Sequence, residues 1–142
     1  VAALGLSQLK KLPQFLETRR HIQKRYNDEL HQLIHRPAYS DTVQYYCARL
    51  PVKRDFAPDG SGYSEVGRDQ LINYLADKKI HTSVHFKPLH QYNLLKQDRK
   101  YSIADTEWLK LISLPCHNGM TDDDIDYVIH WVNKFVEEKY NG

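Results

Sequence analysis

From Ile80 to Phe86 the chain alternates strictly between two kinds of side chain. Ile80, Thr82, Val84 and Phe86 fall on one side of an extended strand, and His81, Ser83 and His85 fall on the other. The first side suits a core and needs a second layer packed against it. The second side is a row of polar groups on the opposite face. Pro88 ends the strand.

The partner layer is helical. Ile125, Val128, Ile129, Val132, Phe135 and Val136 form an apolar stripe at helical spacing, with Thr121 as cap and Asp122, Asp123 and Asp124 at the positive end. Residues 2–12 also read as helix, and Pro13 is expected to restart it. From Gln14 to about Leu33, Phe15, Leu16, Ile22, Tyr26, Leu30 and Leu33 recur on one face. The opposite face carries Arg19, Arg20, Lys24 and Arg25, interrupted by Glu17, Asp28 and Glu29, which fits a solvated face. Val66–Lys79 reads as a helix with Leu71, Tyr74 and Leu75 inward, and Ile103–Leu111 as a shorter one.

A further strand is expected at Val43–Leu50, and a short strand or extended segment at Ile112–Pro115. Lys53–Ser64 reads as a loop around the turn cluster Pro58-Asp59-Gly60-Ser61-Gly62, and Gln91–Gln97 as a loop or short helix. Without repeats or low-complexity tracts, 142 residues make one domain. The expected class is α+β: a small, mostly antiparallel sheet with helices packed on one face.

Composition narrows the functions. Hydrophobic residues are 41% and charged residues 27%, and 20 basic side chains stand against 18 acidic ones. That balance favours neither nucleic acid nor an acidic membrane surface. No apolar run approaches the roughly 20 residues of a membrane span. Cys47 and Cys116 are too few for a disulfide framework and are expected to be small buried hydrophobes in a cytoplasmic protein.

Eight histidines invite a metal. On a strand, however, His81 and His85 stand about 13 Å apart, too far to share one ion. No close-spaced ligand motif supports a site formed by His85, His90, Cys116 and His117, so no metal is expected. Cys116-His117 is adjacency without the geometry of a nucleophile and its base. The polar strand face ending in His85 runs into Phe86-Lys87-Pro88-Leu89-His90. His85, Lys87 and His90 thus gather around a rigid turn, a set suited to phosphate or sugar hydroxyls.

Several segments together resemble the DegT/DnrJ/EryC1/StrS aminotransferases. They are Ala2-Ala3-Leu4-Gly5-Leu6-Ser7-Gln8-Leu9, Gly67-Arg68-Asp69-Gln70-Leu71, and Lys79-Ile80-His81-Thr82-Ser83-Val84-His85-Phe86 with Lys87-Pro88-Leu89-His90. Thr106-Glu107-Trp108, Ile112-Ser113-Leu114-Pro115 and Met120-Thr121-Asp122-Asp123-Asp124-Ile125 complete the series. His81 stands where the family usually has glycine. The matches keep the family's order nearly from end to end, and Lys53–Ser64 aligns with nothing in it.

The resemblance implies the small C-terminal domain of the aspartate-aminotransferase fold type, residues 1–142 beginning inside the helix that links it to a larger domain. It implies pyridoxal phosphate as cofactor in the full-length enzyme, with glutamate as the usual amino donor and a nucleotide-linked keto sugar as acceptor, in amino-sugar and polysaccharide biosynthesis. It implies a homodimer with active sites at the subunit interface. The cofactor-bearing lysine belongs to the larger domain, so this chain alone is expected to bind no cofactor and to be inactive, with no catalytic residue of its own. His85 is the residue expected nearest cofactor and sugar nucleotide, in an orienting or proton-relay role, with Lys87 and His90 as further contacts. Tyr45 and Tyr46 are expected as core or interface aromatics. The alternative is a stand-alone interaction or ligand-sensing module built on the same domain. A nucleic-acid-binding helix over 14–33 is not expected.

Overall fold

A computed structural model describes residues 2–51, 53–56, 63–96, 99 and 101–140; for 53–56 and 63–66 only the backbone is described. The order of elements is α1 (Ala2–Glu29), β1 (Tyr46–Arg49), β2 (Lys53–Phe56), β3 (Tyr63–Val66), α2 (Arg68–Asp77), α3 (Ser102–Trp108), β4 (Leu111–Leu114) and α4 (Asp122–Tyr140). Two single 3-10 turns, Leu89–Gln91 and Asn93–Leu95, precede α3.

β1 pairs with β4 antiparallel, with Tyr46 opposite Leu114, Cys47 opposite Ser113, Ala48 opposite Ile112 and Arg49 opposite Leu111. Single antiparallel bridges extend this ribbon on both sides, His35 to Arg49 and Ser83 to Ser113. Pleating sends Tyr46, Ala48, Ile112 and Leu114 into one core with Ile22 and Tyr26 of α1, Leu71 and Leu75 of α2, and the whole apolar stripe of α4. The architecture is therefore a small antiparallel sheet with helices on one face, as the two periodicities require.

The end of α4 shows why it starts where it does. Thr121 Oγ1 accepts from the Asp124 backbone N–H at 3.2 Å, and the Asp124 carboxylate accepts from the Thr121 N–H at 2.8 Å. This reciprocal box satisfies N–H groups that a helix start leaves open. Close to that start, α2 ends with Lys79 at φ 62, in the left-handed region, while Ile80 N–H reaches back to the Leu75 carbonyl at 2.9 Å. That reversal launches the segment from Ile80.

Four expectations need correction. Pro13 does not restart a helix: α1 runs unbroken for 28 residues through it. The carbonyl that loses its partner belongs to Leu9, on the exposed first half of the helix, where water can take the place of the missing N–H. The stretch read as a loop at Lys53–Ser64 contains β2 and the start of β3, paired with Lys53 opposite Val66 and Phe56 opposite Tyr63. Its turn cluster, residues 58–62, lies outside the described residues. Val66 accordingly closes a strand and does not begin α2.

The segment Ile80–Phe86 is no full strand. It touches the sheet at Ser83 alone, whose N–H and carbonyl exchange bonds with those of Ser113 at 3.1 and 2.8 Å. Ile80 is buried as expected, but Phe86 is 71% exposed, so the inward set ends before it. The fourth correction concerns Cys47, which is only half-buried, on the sheet face away from the core. Cys116 is also half-buried and packs against the core.

The basic face of α1 is held within the chain. Arg19 donates to the Val43 carbonyl at 3.3 Å and Arg20 to the Asp41 carbonyl at 2.9 Å. Lys24 pairs with Asp28, and Arg25 with Glu29 and Asp126.

Candidate functional site on the outer face of the sheet

Because Tyr46 points into the core, its neighbours Tyr45 and Cys47 point to the opposite face. The register then places Cys47 across from Ser113, and Ser113 beside Ser83. Ser113 is 4% exposed, and both its backbone groups are spent on Ser83, so its hydroxyl faces a small set of side chains. His85 Nδ1 lies 2.9 Å from Ser113 Oγ, and Cys47 stands opposite Ser113 on β1. Burial pushes the Cys47 thiol above its ordinary value, and the neighbouring Ser113 hydroxyl opposes that. Cys47 is therefore a thiol at neutral pH.

The His85 ring lies stacked on Tyr45, with centroids 4.3 Å apart and planes at 28°, and Phe86 meets it edge-on at 4.8 Å. The imidazole is thus fixed by a ring on one face and a hydroxyl at Nδ1. Its Nε2 has no hydrogen-bond partner among the described residues. Tyr45 also lines a cleft of about 610 Å³ with Leu12, Leu16, Arg19, Thr42 and Cys116. A second concavity of about 580 Å³, between the end of α2 and the start of α4, holds none of His85, Lys87 or His90.

Lys87 and His90 are not gathered onto His85. The Lys87 ammonium is exposed and lies 5.6 Å from the centre of the Tyr92 ring. His90 Nε2 bonds the Asp105 carboxylate at 2.8 Å, and Gln91 bonds the same oxygen. The Gln91 and His90 bonds hold the Asp105 carboxyl below its usual range. His90 therefore ties the turn after the strand to α3. Among the described residues, no group of three His, Cys, Asp or Glu side chains is placed to hold a metal ion. No helix there is long and apolar enough to cross a membrane.

Tyr45, Ser113 and Cys47 are the members of this cluster that sequence reasoning did not select. The signal for Tyr45 was available, since alternation sets it opposite the core residue Tyr46. Ser113 and Cys47 needed the β1–β4 register, which no single strand reveals.

The chain resembles known proteins along nearly its whole length. Residues 1–133 match the model of the DegT/DnrJ/EryC1/StrS aminotransferase family. The spore coat polysaccharide biosynthesis protein SpsC of Bacillus subtilis is 32% identical over 144 aligned positions, covering 96% of this chain and 36% of that protein. The GDP-perosamine synthase of Escherichia coli O157:H7 is 26% identical over 139 positions, covering 97% of this chain and 36% of the synthase. Among solved structures, Spr1654 of Streptococcus pneumoniae in its PLP form, assigned as a sugar aminotransferase, superposes with a TM-score of 0.76 at 27% identity. That likeness covers 96% of this chain and 35% of the other. The chain thus spans about a third of the length of the curated relatives it matches. On the family match over residues 1–133 and the 32% identity to SpsC, the chain belongs to the DegT/DnrJ/EryC1/StrS aminotransferase family.

Proposed function

We propose that this chain is the C-terminal domain of a pyridoxal-phosphate-dependent aminotransferase that transfers an amino group, from glutamate, to a nucleotide-linked keto sugar for amino-sugar and polysaccharide biosynthesis. The observation that carries the proposal is the fixed imidazole of His85, anchored at Nδ1 and open at Nε2, in a chain that matches the family nearly throughout. The relatives named GDP-perosamine synthase and sugar aminotransferase support the substrate class.

The outer sheet face fits the rim of a site for a phosphorylated ligand. His85 offers one ring nitrogen outward, and its ring cannot turn freely between Tyr45 and Ser113. When bound, pyridoxal phosphate supplies the carbonyl that accepts and gives up the amino group. His85 orients an anionic or hydroxyl group of cofactor or sugar nucleotide through Nε2 and holds or passes a proton there. Lys87, exposed on the segment that follows, attracts phosphate as a point charge. His90, with Nε2 engaged by Asp105, contributes chiefly by holding that segment against α3.

The exposed apolar half of α1, with Leu4, Leu6 and Leu9 open to solvent, is the surface on which the larger domain of the same protein, and a second copy in a homodimer, would rest. The proposed setting is the cytoplasm, on the two unpaired cysteines Cys47 and Cys116. The lysine that carries the cofactor belongs to the larger domain, so this chain alone should be inactive. Titration with stoichiometric pyridoxal phosphate tests that. The expected spectrum is that of free cofactor. A stable long-wavelength band lost on changing one lysine of this chain would overturn it.

A further inference from the structure

Ser113 brings a buried hydroxyl against one nitrogen of the His85 ring. Its backbone is used up in the bridge to Ser83, and it is 4% exposed. The hydroxyl has one proton and two lone pairs; His85 Nδ1 lies 2.9 Å from it, and Cys47 is its cross-strand neighbour. Two arrangements are open to it. In one, the Ser113 O–H donates to Nδ1, so the ring proton sits on Nε2. In the other, Nδ1–H donates to Oγ, and the O–H turns toward Cys47. Sulfur is a weak acceptor and an imidazole nitrogen a good one, so the first arrangement puts the better donor on the better acceptor.

We infer that Ser113 is a positioning residue that fixes the neutral His85 ring as its Nε2–H tautomer and so makes the outward nitrogen a hydrogen-bond donor. The register of β1 and β4 builds this device, because it alone sets Cys47 and Ser113 opposite each other. When His85 takes up a second proton at Nδ1, the hydroxyl rotates. Nδ1–H then donates to Oγ, and the O–H turns toward its cross-strand neighbour Cys47. The contact at Oγ therefore accepts both charge states of the ring while holding it in one orientation on Tyr45.

The consequence for a ligand rests on the proposed function: an Nε2–H donor matches a phosphate or carbonyl oxygen and rejects a second donor. The tautomer itself does not rest on that reading, and the test separates the two. Nitrogen-15 shifts of the His85 ring, measured on the 142-residue chain at a pH where the ring is neutral, report which nitrogen carries the proton. The expected result is Nε2–H in the unaltered chain, a mixture in Ser113→Ala, and recovery in Ser113→Thr. Ser113→Cys keeps the volume with a weak donor and serves if the alanine variant does not fold; it should also give a mixture. An Nδ1–H ring in the unaltered chain, or an unchanged tautomer in both Ser113→Ala and Ser113→Cys, would overturn the inference. In the full-length enzyme, Ser113→Ala should raise KM for the nucleotide keto sugar about tenfold, with Ser113→Thr close to the unaltered protein. A tautomer that follows Ser113 while KM does not move would leave the positioning role standing and sink the placement of His85 at the substrate.

Discussion

The Tyr26 ring on α1 meets the Tyr46 ring on β1 edge-on at 4.9 Å, and each hydroxyl then leaves the core in a different direction. Tyr26 donates to the Pro115 carbonyl at 2.9 Å, and Tyr46 to Asn27 at 2.8 Å. The pair joins the first helix to the first strand and to the exit of the last strand. Burial raises both phenols above their usual value. Tyr26→Phe removes one donor from a part-buried carbonyl and should cost about 1 kcal/mol; Tyr26→Ala should cost roughly 3–5 kcal/mol. Urea denaturation measures both. A phenylalanine variant as stable as the parent would show that water already serves Pro115.

Thr121→Ala removes the acceptor for the Asp124 N–H and half of the box at the start of α4. The expected loss is about 1 kcal/mol, with Thr121→Ser nearly neutral. Equal losses in both variants would assign the effect to the threonine methyl instead of the cap.

Among the described residues, five carboxylates are held below their ordinary range by donors. Arg25 acts on Glu29, Gln91 and His90 on Asp105, Lys110 and Arg49 on Glu107, His21 on Asp122, and the Thr121 backbone on Asp124. A folded-state value below the unfolded one means stability that is present above the unfolded values near 4 and lost as pH falls through the folded ones. The urea midpoint should therefore hold between about pH 7 and 5 and decline below about 4. A midpoint flat to about pH 3 would contradict these bonds.

The apolar half of α1 should self-associate when nothing else covers it. Leu4, Leu6 and Leu9 are 67%, 58% and 62% exposed. Light scattering should find a dimer or larger species, reduced to monomer by changing all three to lysine. A clean monomer of the unaltered chain at high concentration would refute this.

The legible parts of the fold were those with one strong period. The stripe from Ile125 to Val136 is buried residue for residue, because a single helix face meets a single core. The start of the segment at Ile80 was read correctly for the same reason. Its far end was misread because alternation assumes continued pairing, and only Ser83 pairs. β2 and β3 escaped notice because Lys53-Arg54-Asp55-Phe56 shows no apolar alternation; their pairing sets Arg54 against Glu65, a match of positions far apart in sequence. His85 could be selected from its own strand. Its neighbours Tyr45, Ser113 and Cys47 come from two other strands, and only the folded register brings them together.

The placement of His85 at the substrate is tested most directly by kinetics of the full-length protein that carries this chain. With pyridoxal phosphate bound, His85→Asn should lower kcat/KM for the nucleotide keto sugar at least about tenfold, roughly 1.4 kcal/mol of transition-state stabilisation. Leu94→Ala, an exposed change away from the cluster, should leave it unaltered. A His85→Asn enzyme as fast as its parent at low substrate would contradict the account.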